Sequence, residues 1–226
     1  MGCVRLYGSE RKPRGQQQAP WAPAFVGGRE LNKKELRGFR LRAEEMKMIV
    51  ALAGRRIDMT DASPARFPRG NVEPVRAALR SMFERLDASA LVCSAACGAD
   101  LLALVEAGRL GLRRRVVLPL PVHRFRQTSV IDRGREWGPI YDTVIEDVSR
   151  LGDLVEMTDA GDGDLAYAAA NRRILDEAVA LGEARGEDVG AVLVWDGESR
   201  GADDLTEAFG SEARNRHLHV IELSTR

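Results

Sequence analysis

The chain alternates between short, uncharged apolar runs and longer segments in which apolar residues recur at helical spacing. Short apolar runs are typical of strands covered on both faces of a sheet, whereas the longer period is typical of amphipathic helices. The predicted strands cover residues 48–53, 90–93, 115–120, 153–157, 191–195 and 218–223. The predicted helices cover residues 72–86, 99–110, 136–150, 167–181 and 203–216.

Strands that alternate with helices of this length predict a parallel sheet, because parallel neighbours need a crossover connection rather than a tight turn. We therefore expect an α/β fold: a three-layer, Rossmann-like domain with a doubly wound, mostly parallel sheet. This domain covers residues 48–226. Asn71 is expected to cap the first helix, and Asp203 or Asp204 the last one.

The N-terminal part has a different composition. Residues 1–28 are rich in proline, glutamine and glycine, which predicts a flexible arm. Residues 30–46 show partial helical periodicity and predict a leading helix. Residues 1–47 are therefore interpreted as an appendage to one domain.

Composition narrows the function classes. The 226 residues include 34 Lys plus Arg and 34 Asp plus Glu, and this balance argues against nucleic-acid binding, which needs a basic excess. Three cysteines without a framework spacing argue against disulfides and predict a cytoplasmic protein. No apolar run is long enough to cross a membrane. Neither a metal ion nor a cofactor is expected from the residue pattern.

The candidate ligand site follows from the predicted topology. Ligands of open parallel sheets bind beyond the carboxyl ends of the strands, where the strand order reverses. Glycine lets a backbone approach a ligand, guanidinium groups bind phosphate oxygens in pairs, and a helix N-terminus attracts an anion. Four loops carry such residues and predict a ligand-binding set of Gly54, Arg55, Arg56, Ser94, Ala95, Gly98, Ala99, Asp100, Arg124, Arg126, Thr128, Ser129, Asp196 and Gly197.

Each loop also has a plainer interpretation. The arginine pair after the first strand fits a solvated turn, and Asp100 fits a charge that favours its helix N-terminus. The loop after the third strand fits a turn held by its prolines. Cys97 fits a packed side chain better than a reactive thiol.

Taken together, the loops resemble a known family. The string Ser94-Ala-Ala-Cys-Gly-Ala-Asp-Leu-Leu102 is similar to the signature of the SLOG superfamily, which includes the Lonely-guy enzymes and the DNA-processing protein DprA. The similarity extends over residues 48–223 through Gly54-Arg-Arg-Ile-Asp58, Arg66-Phe-Pro68, Leu118-Pro-Leu-Pro121 and Tyr167 with Asn171. It is strongest to bacterial SLOG-like domains that are often fused to signalling or effector modules.

The resemblance implies a Rossmann-like sheet that binds a nucleotide or a nucleotide derivative, and it adds Asn171 to the candidate ligand-binding residues. Enzymatic members of the family cleave the N-glycosidic bond of a nucleoside monophosphate. They use a Pro-Gly-Gly-x-Gly-Thr-x-x-Glu motif, which this sequence lacks.

Two functions stay open at this point. One is a sensor or regulatory domain for a nucleotide-like small molecule, acting through self-association or an effector protein. The other is a nucleoside-monophosphate N-glycosidase or a related glycosyl transferase, with Asp100 and Glu106 as the catalytic carboxylates. We prefer the sensor, because fold alone does not fix function and the catalytic motif is absent. The position of Glu106 relative to the cleft is expected to separate them.

Overall fold

The computed structural model describes residues 25–26, 29–30, 47–157, 163–201 and 203–226. The chain divides into two compact units, residues 1–45 and residues 46–226. In the first unit, strand β1 (Phe25–Val26) pairs antiparallel with strand β2 (Arg29–Glu30). The rest of the predicted arm and of the predicted leading helix lies outside the described residues.

The second unit is built on a six-stranded sheet whose strand pairs are all parallel. Its strands are β3 (Met48–Gly54), β4 (Ala88–Cys93), β5 (Arg113–Leu118), β6 (Leu154–Glu156), β7 (Asp188–Trp195) and β8 (His219–Ser224). They lie in the order β6-β5-β4-β3-β7-β8. This is the predicted Rossmann-like α/β fold. β5 ends two residues earlier than predicted, because Pro119 has no N–H to donate to the ladder.

The strands are joined by helices α1 (Val72–Arg85), α2 (Ala99–Arg109), α3 (Val122–Phe125), α4 (Trp137–Arg150), α5 (Asp164–Arg185) and α6 (Leu205–Asn215). The side chain of Asp204 caps α6 by accepting hydrogen bonds from the backbone N–H groups of Thr206 and Glu207. The predicted cap at Asn71 is wrong. Its side-chain amide instead donates to the carbonyl oxygen of Thr225, which is 154 positions away in the sequence.

Alternation along each strand sorts the core into two layers. In β3, Val50 and Leu52 belong to the layer packed under α1, α2 and α4, whereas Ile49, Ala51 and Ala53 belong to the layer under α5 and α6. Burying one such leucine or isoleucine side chain stabilises the fold by about 1.5–3 kcal/mol. The uncharged runs in the sequence are therefore the central strands of the sheet, which are covered by helices on both faces.

The strand order reverses between β3 and β7. The chain leaves β3 towards β4 on one side of the sheet, and it leaves β7 towards β8 on the other. Their carboxyl ends are neighbours, with Gly54 opposite Val194. This is the position at which the loops of an open parallel sheet separate and leave a crevice.

A close contact fixes the start of α2 beside the end of β3. A Cβ atom built on Gly54 would lie 2.4 Å from the Cβ of Ala99 and 2.8 Å from the carbonyl oxygen of Val194. No side chain fits in that space, so glycine here sets the distance between the first turn of α2 and the sheet.

A buried ion-pair network, centred on Arg55, joins the two loops at the strand-order reversal. The Nε atom of Arg55 donates to Asp196 (2.9 Å), and its two terminal nitrogens donate to the carboxylate of Asp204 (2.7 and 2.8 Å). The guanidinium also donates to the carbonyl oxygen of Glu198 and lies over the ring of Trp195, 5.5 Å from its centroid. These three charged side chains are at most 2% exposed.

The network is electrostatically satisfied. Burial alone would raise the pKa of Asp204, but the hydrogen bonds from Arg55 and from the backbone N–H groups of Arg200 and Glu207 lower it to about 2. Asp196 also accepts from Arg66 at 2.6 Å. The loop between β7 and α6 is thereby attached to the end of β3.

Within the described ranges, no helix combines the length and the apolar character needed to span a lipid bilayer.

Replacing Arg55 tests the network. We expect Arg55→Met to lower the free energy of unfolding by about 3–5 kcal/mol, because it removes the buried guanidinium that hydrogen-bonds both Asp196 and Asp204. Urea unfolding at neutral pH measures the change. The control is Arg80→Met, which removes an exposed pair with Glu84 and is expected to cost less than about 1 kcal/mol. Equal losses in the two variants would contradict the structural role of Arg55.

Replacing Gly54 tests the close contact. We expect Gly54→Ala to destabilise the domain by about 1–3 kcal/mol, since the added methyl group must push α2 away from the sheet. Gly70 is the matched control, because a Cβ atom there meets nothing within 4 Å. A Gly54→Ala protein with an unfolding midpoint at or above that of Gly70→Ala would show that this spacing is not required.

Candidate functional site

A cleft of about 330 Å³ opens at the carboxyl ends of β3 and β4. Its walls come from the loops after β3 and β4, the segment 122–133, the first turns of α5 and the start of α6. It lies where the topology predicts a ligand site.

Seven of the residues predicted from the sequence line this cleft: Gly54, Arg55, Arg56, Ser94, Asp100, Ser129 and Asn171. Arg55 contributes little charge to it, because its guanidinium is bound by Asp196, Asp204 and Glu198. The geometry gives Arg55 the role of holding the rim rather than a ligand.

Three other predicted residues, Ala95, Gly98 and Ala99, lie beneath the cleft. All three are buried, and the N–H of Ala99 donates to the carbonyl oxygen of Arg55. Gly98 has a φ of +105° and forms an isolated bridge with Arg56. The N-terminus of α2 is thus partly occupied by the protein's own backbone.

Three of the ligand-binding residues predicted after β5, Arg124, Arg126 and Thr128, do not line the cleft. The segment is helical, with α3 followed by a single π-helical turn (Arg126–Val130) and a 3-10 turn (Ile131–Arg133). Arg126 binds both carboxylate oxygens of Asp142 on α4 (2.7 and 2.8 Å). Thr128 donates to the carbonyl oxygen of Arg124, and neither residue lines the cleft.

The loop after β7 holds Asp196 and Gly197 outside the cleft as well. The side chain of Asp196 is fully buried and accepts hydrogen bonds from Arg55, Arg66 and Arg226. Gly197 has a φ of +77°, with open space around its Cα. Their predicted contact with a ligand is not supported by this geometry.

Glu106 is not in the cleft. It is 1% exposed, accepts a hydrogen bond from Arg109 at 2.6 Å, and lies 3.6 Å from the Nε atom of Arg76 on α1. It therefore ties α2 to α1. The catalytic role suggested for Glu106 has no support from this position.

One wall of the cleft is cationic. Arg56, Arg66, Arg133 and Arg200 all line it. Burial lowers the pKa of Arg133, and the positive charges of Arg56 and Arg200 lower it further. The guanidiniums of Arg56, Arg133 and Arg200 are therefore close enough to affect the pKa of Arg133.

The contacts of these arginines leave donors for an anion. Arg133 donates to the carbonyl oxygen of Ile57 at 2.8 Å, and Arg56 donates to Asp132. The Nε atom of Arg56 is buried without a hydrogen-bond partner among the described residues. Arg200 lies 3.7 Å from Asp204 and is about half exposed. Since a guanidinium carries five N–H donors, this wall has hydrogen-bonding capacity to spare.

Another wall of the cleft carries aromatic rings and, on the first turn of α5, the carboxylate of Asp164. The hydroxyl groups of Ser129 and Tyr167 share a hydrogen bond of 2.7 Å, and the Tyr167 ring lies 6.3 Å from the ring of Phe125. The side-chain amide of Asn171 donates to the carbonyl oxygen of Leu205 at 2.8 Å. This wall offers a flat apolar face with polar groups at its edge.

The floor carries two polar atoms without partners. The Oγ atom of Ser94 and the Oδ1 atom of Asp100 are buried and make no hydrogen bond with any described residue. The Oδ2 atom of Asp100 accepts from the N–H of Ala96 at 3.2 Å. Burial raises the pKa of Asp100 to about 7, although the bond from Ala96 and the charge of Arg56 act against it. Unpartnered buried atoms are costly, and a ligand that reaches them removes that cost.

The buried cysteines do not add a nucleophile. Cys93 and Cys97 are free and buried, and burial raises the pKa of both thiols. A buried thiol with a raised pKa carries little thiolate at neutral pH. In the described part of the chain, no group of three or more His, Cys, Asp or Glu side chains is placed to hold a metal ion.

Sequence reasoning missed Arg133, Arg200 and Asp164, and it named Arg66 and Tyr167 only through the family resemblance. Arg133 and Arg200 lie in irregular segments, where no period indicates the direction of a side chain. Asp164 and Tyr167 lie on the first turns of α5, which begins before the predicted helix start at residue 167.

Comparisons with known proteins add a distant structural likeness. No family model and no curated protein matches the chain. Among solved structures, it is similar to DNA processing protein A (DprA) from Streptococcus pneumoniae, with a TM-score of 0.35 and 13% sequence identity. The similarity covers 80% of this chain and 60% of that protein, so the chain spans less than two thirds of its length. A likeness this distant does not bear on function, and the fold assignment rests on the parallel sheet itself.

Proposed function

We propose that the domain binds a nucleotide or a nucleotide-derived phosphorylated molecule in the cleft and acts as a sensor or regulatory domain. The observation that carries this proposal is the convergence of Arg56, Arg133 and Arg200 on one wall of a cleft at the strand-order reversal. Phosphate oxygens are the ligand atoms that planar guanidinium groups bind most strongly.

Electrostatics supports an anionic ligand. Burial lowers the pKa of Arg133, and repulsion by the nearby positive charges of Arg56 and Arg200 lowers it further. Among the described residues, Arg56 is hydrogen-bonded to the carboxylate of Asp132, Arg200 lies 3.7 Å from Asp204, and Arg133 donates to a carbonyl oxygen. An anion on this wall would relieve the repulsion and use the remaining donors.

The rest of the cleft suits the uncharged part of such a ligand. The partly exposed ring of Tyr167 gives a face on which a base can pack, and Ser94, Asn171 and Asp100 can bind sugar hydroxyls. The volume lies near the lower end of the range for small-molecule sites, about 300–1,000 Å³.

One observation favours the alternative function, hydrolysis or transfer at the glycosidic bond of a nucleoside monophosphate. Asp100 is a buried carboxyl group in the cleft whose pKa lies near 7, and such a group can exchange a proton during a reaction at neutral pH. The alternative is weakened because Glu106, the other candidate catalytic carboxylate, is held in an ion pair outside the cleft.

Binding to a panel of nucleotides tests the sensor proposal. We expect one or more nucleoside phosphates to raise the melting temperature of the full chain, and Arg200→Gln and Arg133→Gln to weaken binding by about 10-fold or more. The loss of a charge-assisted hydrogen bond, about 1.5–3 kcal/mol, sets this size. Isothermal titration calorimetry measures the affinity.

Arg126→Gln is the matched control, because Arg126 is paired with Asp142 outside the cleft. Its affinity should equal that of the unmodified protein. A loss of affinity in Arg126→Gln with none in Arg200→Gln would place the ligand at the segment after β5 and contradict the proposed site.

Release of free base from the same nucleotides tests the alternative. If the domain is a hydrolase, Asp100→Asn should lower the release rate by about 100-fold or more while the nucleotide still binds. Chromatography of the reaction products measures the free base. Tight binding with no release above the rate in buffer would leave the sensor function alone standing.

A further inference from the structure

We propose that Asp100 takes up a proton when the cleft binds its anion, so that it meets the ligand as a neutral hydrogen-bond donor through Oδ1 and the affinity falls as the pH rises. This inference rests on the proposed anion site and assigns its regulation by pH.

The geometry of Asp100 supports this role. The residue lies in the first turn of α2, lines the cleft and is 7% exposed. Its two oxygens differ, because Oδ2 accepts from the N–H of Ala96 whereas Oδ1 has no partner among the described residues. An ionised carboxylate would leave a charged oxygen buried and unsatisfied there, and a protonated carboxyl group would turn the same atom into a donor.

The surrounding charges do not hold Asp100 in its ionised form. Arg56, from the loop after β3, and the thiol of Cys93, at the end of β4, are the titratable groups that interact with it. Arg56 is bound to Asp132, and no described cation lies within ion-pair distance of Asp100. The other charged or titratable groups that line the cleft are Arg66, Asp58, Arg133, Arg200, Asp164 and Tyr167.

A bound anion changes this balance. It would place negative charge in the same small cleft as the carboxylate, and like charges in a partly dry site repel strongly. A neutral carboxyl group removes the repulsion and donates a hydrogen bond to the anion. The N-terminus of α2 favours a nearby negative charge. When Asp100 is neutral, the bound anion provides that charge.

Asp100 changes its protonation state near neutral pH, where a bound anion can alter the number of protons that the site holds. Burial raises its pKa to about 7, so the unliganded site holds a mixture of both forms near neutrality. An adjacent anion raises the pKa further. Between the two pKa values, binding takes up a proton, and the affinity falls by at most about tenfold for each unit of pH increase.

Sulfate is the probe for the experiment, because it stays a dianion across the pH range, whereas a phosphate monoester has a pKa of about 6. Titration calorimetry of the full chain at about pH 6 and about pH 8, in two buffers of different ionisation enthalpy, gives both the affinity and the number of protons taken up. We expect weaker sulfate binding at the higher pH and an uptake of up to about one proton.

The variants Asp100→Asn and Asp164→Asn separate Asp100 from the rest of the cleft. Asp100→Asn should bind sulfate at both pH values with equal affinity and no proton uptake attributable to the site. Asp164→Asn removes an exposed carboxylate that lines the same cleft, and it should keep the pH dependence. An Asp100→Asn protein that retains the full pH dependence overturns the inference.

Stability gives an independent measurement. The folded-state pKa of Asp100 lies above its unfolded value, so ionisation weakens the fold as the pH rises from about 4 to about 7. Asp100→Asn should therefore be more stable than the unmodified protein above pH 7, with the difference shrinking towards pH 4. If the variant does not fold, the proton count of the unmodified protein decides, and zero uptake overturns the inference.

The outcomes also separate this inference from the proposed function. Binding of sulfate or of a nucleotide without proton uptake contradicts the inference alone. Absence of binding by sulfate and by the whole nucleotide panel contradicts the proposed function itself.

Discussion

The buried contact of Arg55 with Asp196 and Asp204 is the interaction on which the site depends. It joins residues 141 and 149 positions apart in the chain, at the place where β3 and β7 separate their loops. Charges are expensive to bury, and this group is stable only because the fork of one guanidinium meets two carboxylates and a carbonyl oxygen. These bonds hold the rim beside Arg56, Arg133 and Arg200, which line the cleft.

The protein is neutral in total, yet its charges are used in different ways. Around Arg55 they cancel within hydrogen-bond distance, whereas on the cationic wall three guanidiniums come close enough to lower the pKa of Arg133. Asp100 interacts with Arg56 of that wall but forms no ion pair with any described residue. A net charge of zero therefore hides a local cluster of positive charge at the cleft.

The fold could be predicted from the sequence. A strand that is buried on both faces appears as a short uncharged run, and an amphipathic helix appears as apolar residues at helical spacing. The site could be predicted only in part. The turns that contain Gly54, Arg56 and Asp100 were found from their position after strands, but the direction of a loop side chain depends on partners far away in the chain. For example, Arg55 hydrogen-bonds to Asp204, and Arg126 hydrogen-bonds to Asp142.

The direction of the Glu106 side chain could have been predicted from helix geometry. Six positions along an α-helix correspond to a rotation of about 240° from Asp100, so the two carboxylates were bound to face different directions. Asn71 shows the opposite case, since a good capping residue was drawn to a carbonyl oxygen that only the complete fold brings near.

The length of α5 has a consequence for how the cleft can bind. Its 22 residues extend over about 33 Å, whereas the seven residues of β3 extend over about 23 Å, so a helix packed on the sheet has turns left over beyond the strands. Tyr167 and Asn171 stand on those turns. One wall of the cleft therefore lies on a helix whose later turns pack into the hydrophobic core. For the proposed ligand this surface would be in place before binding, and little conformational entropy would be lost in shaping it.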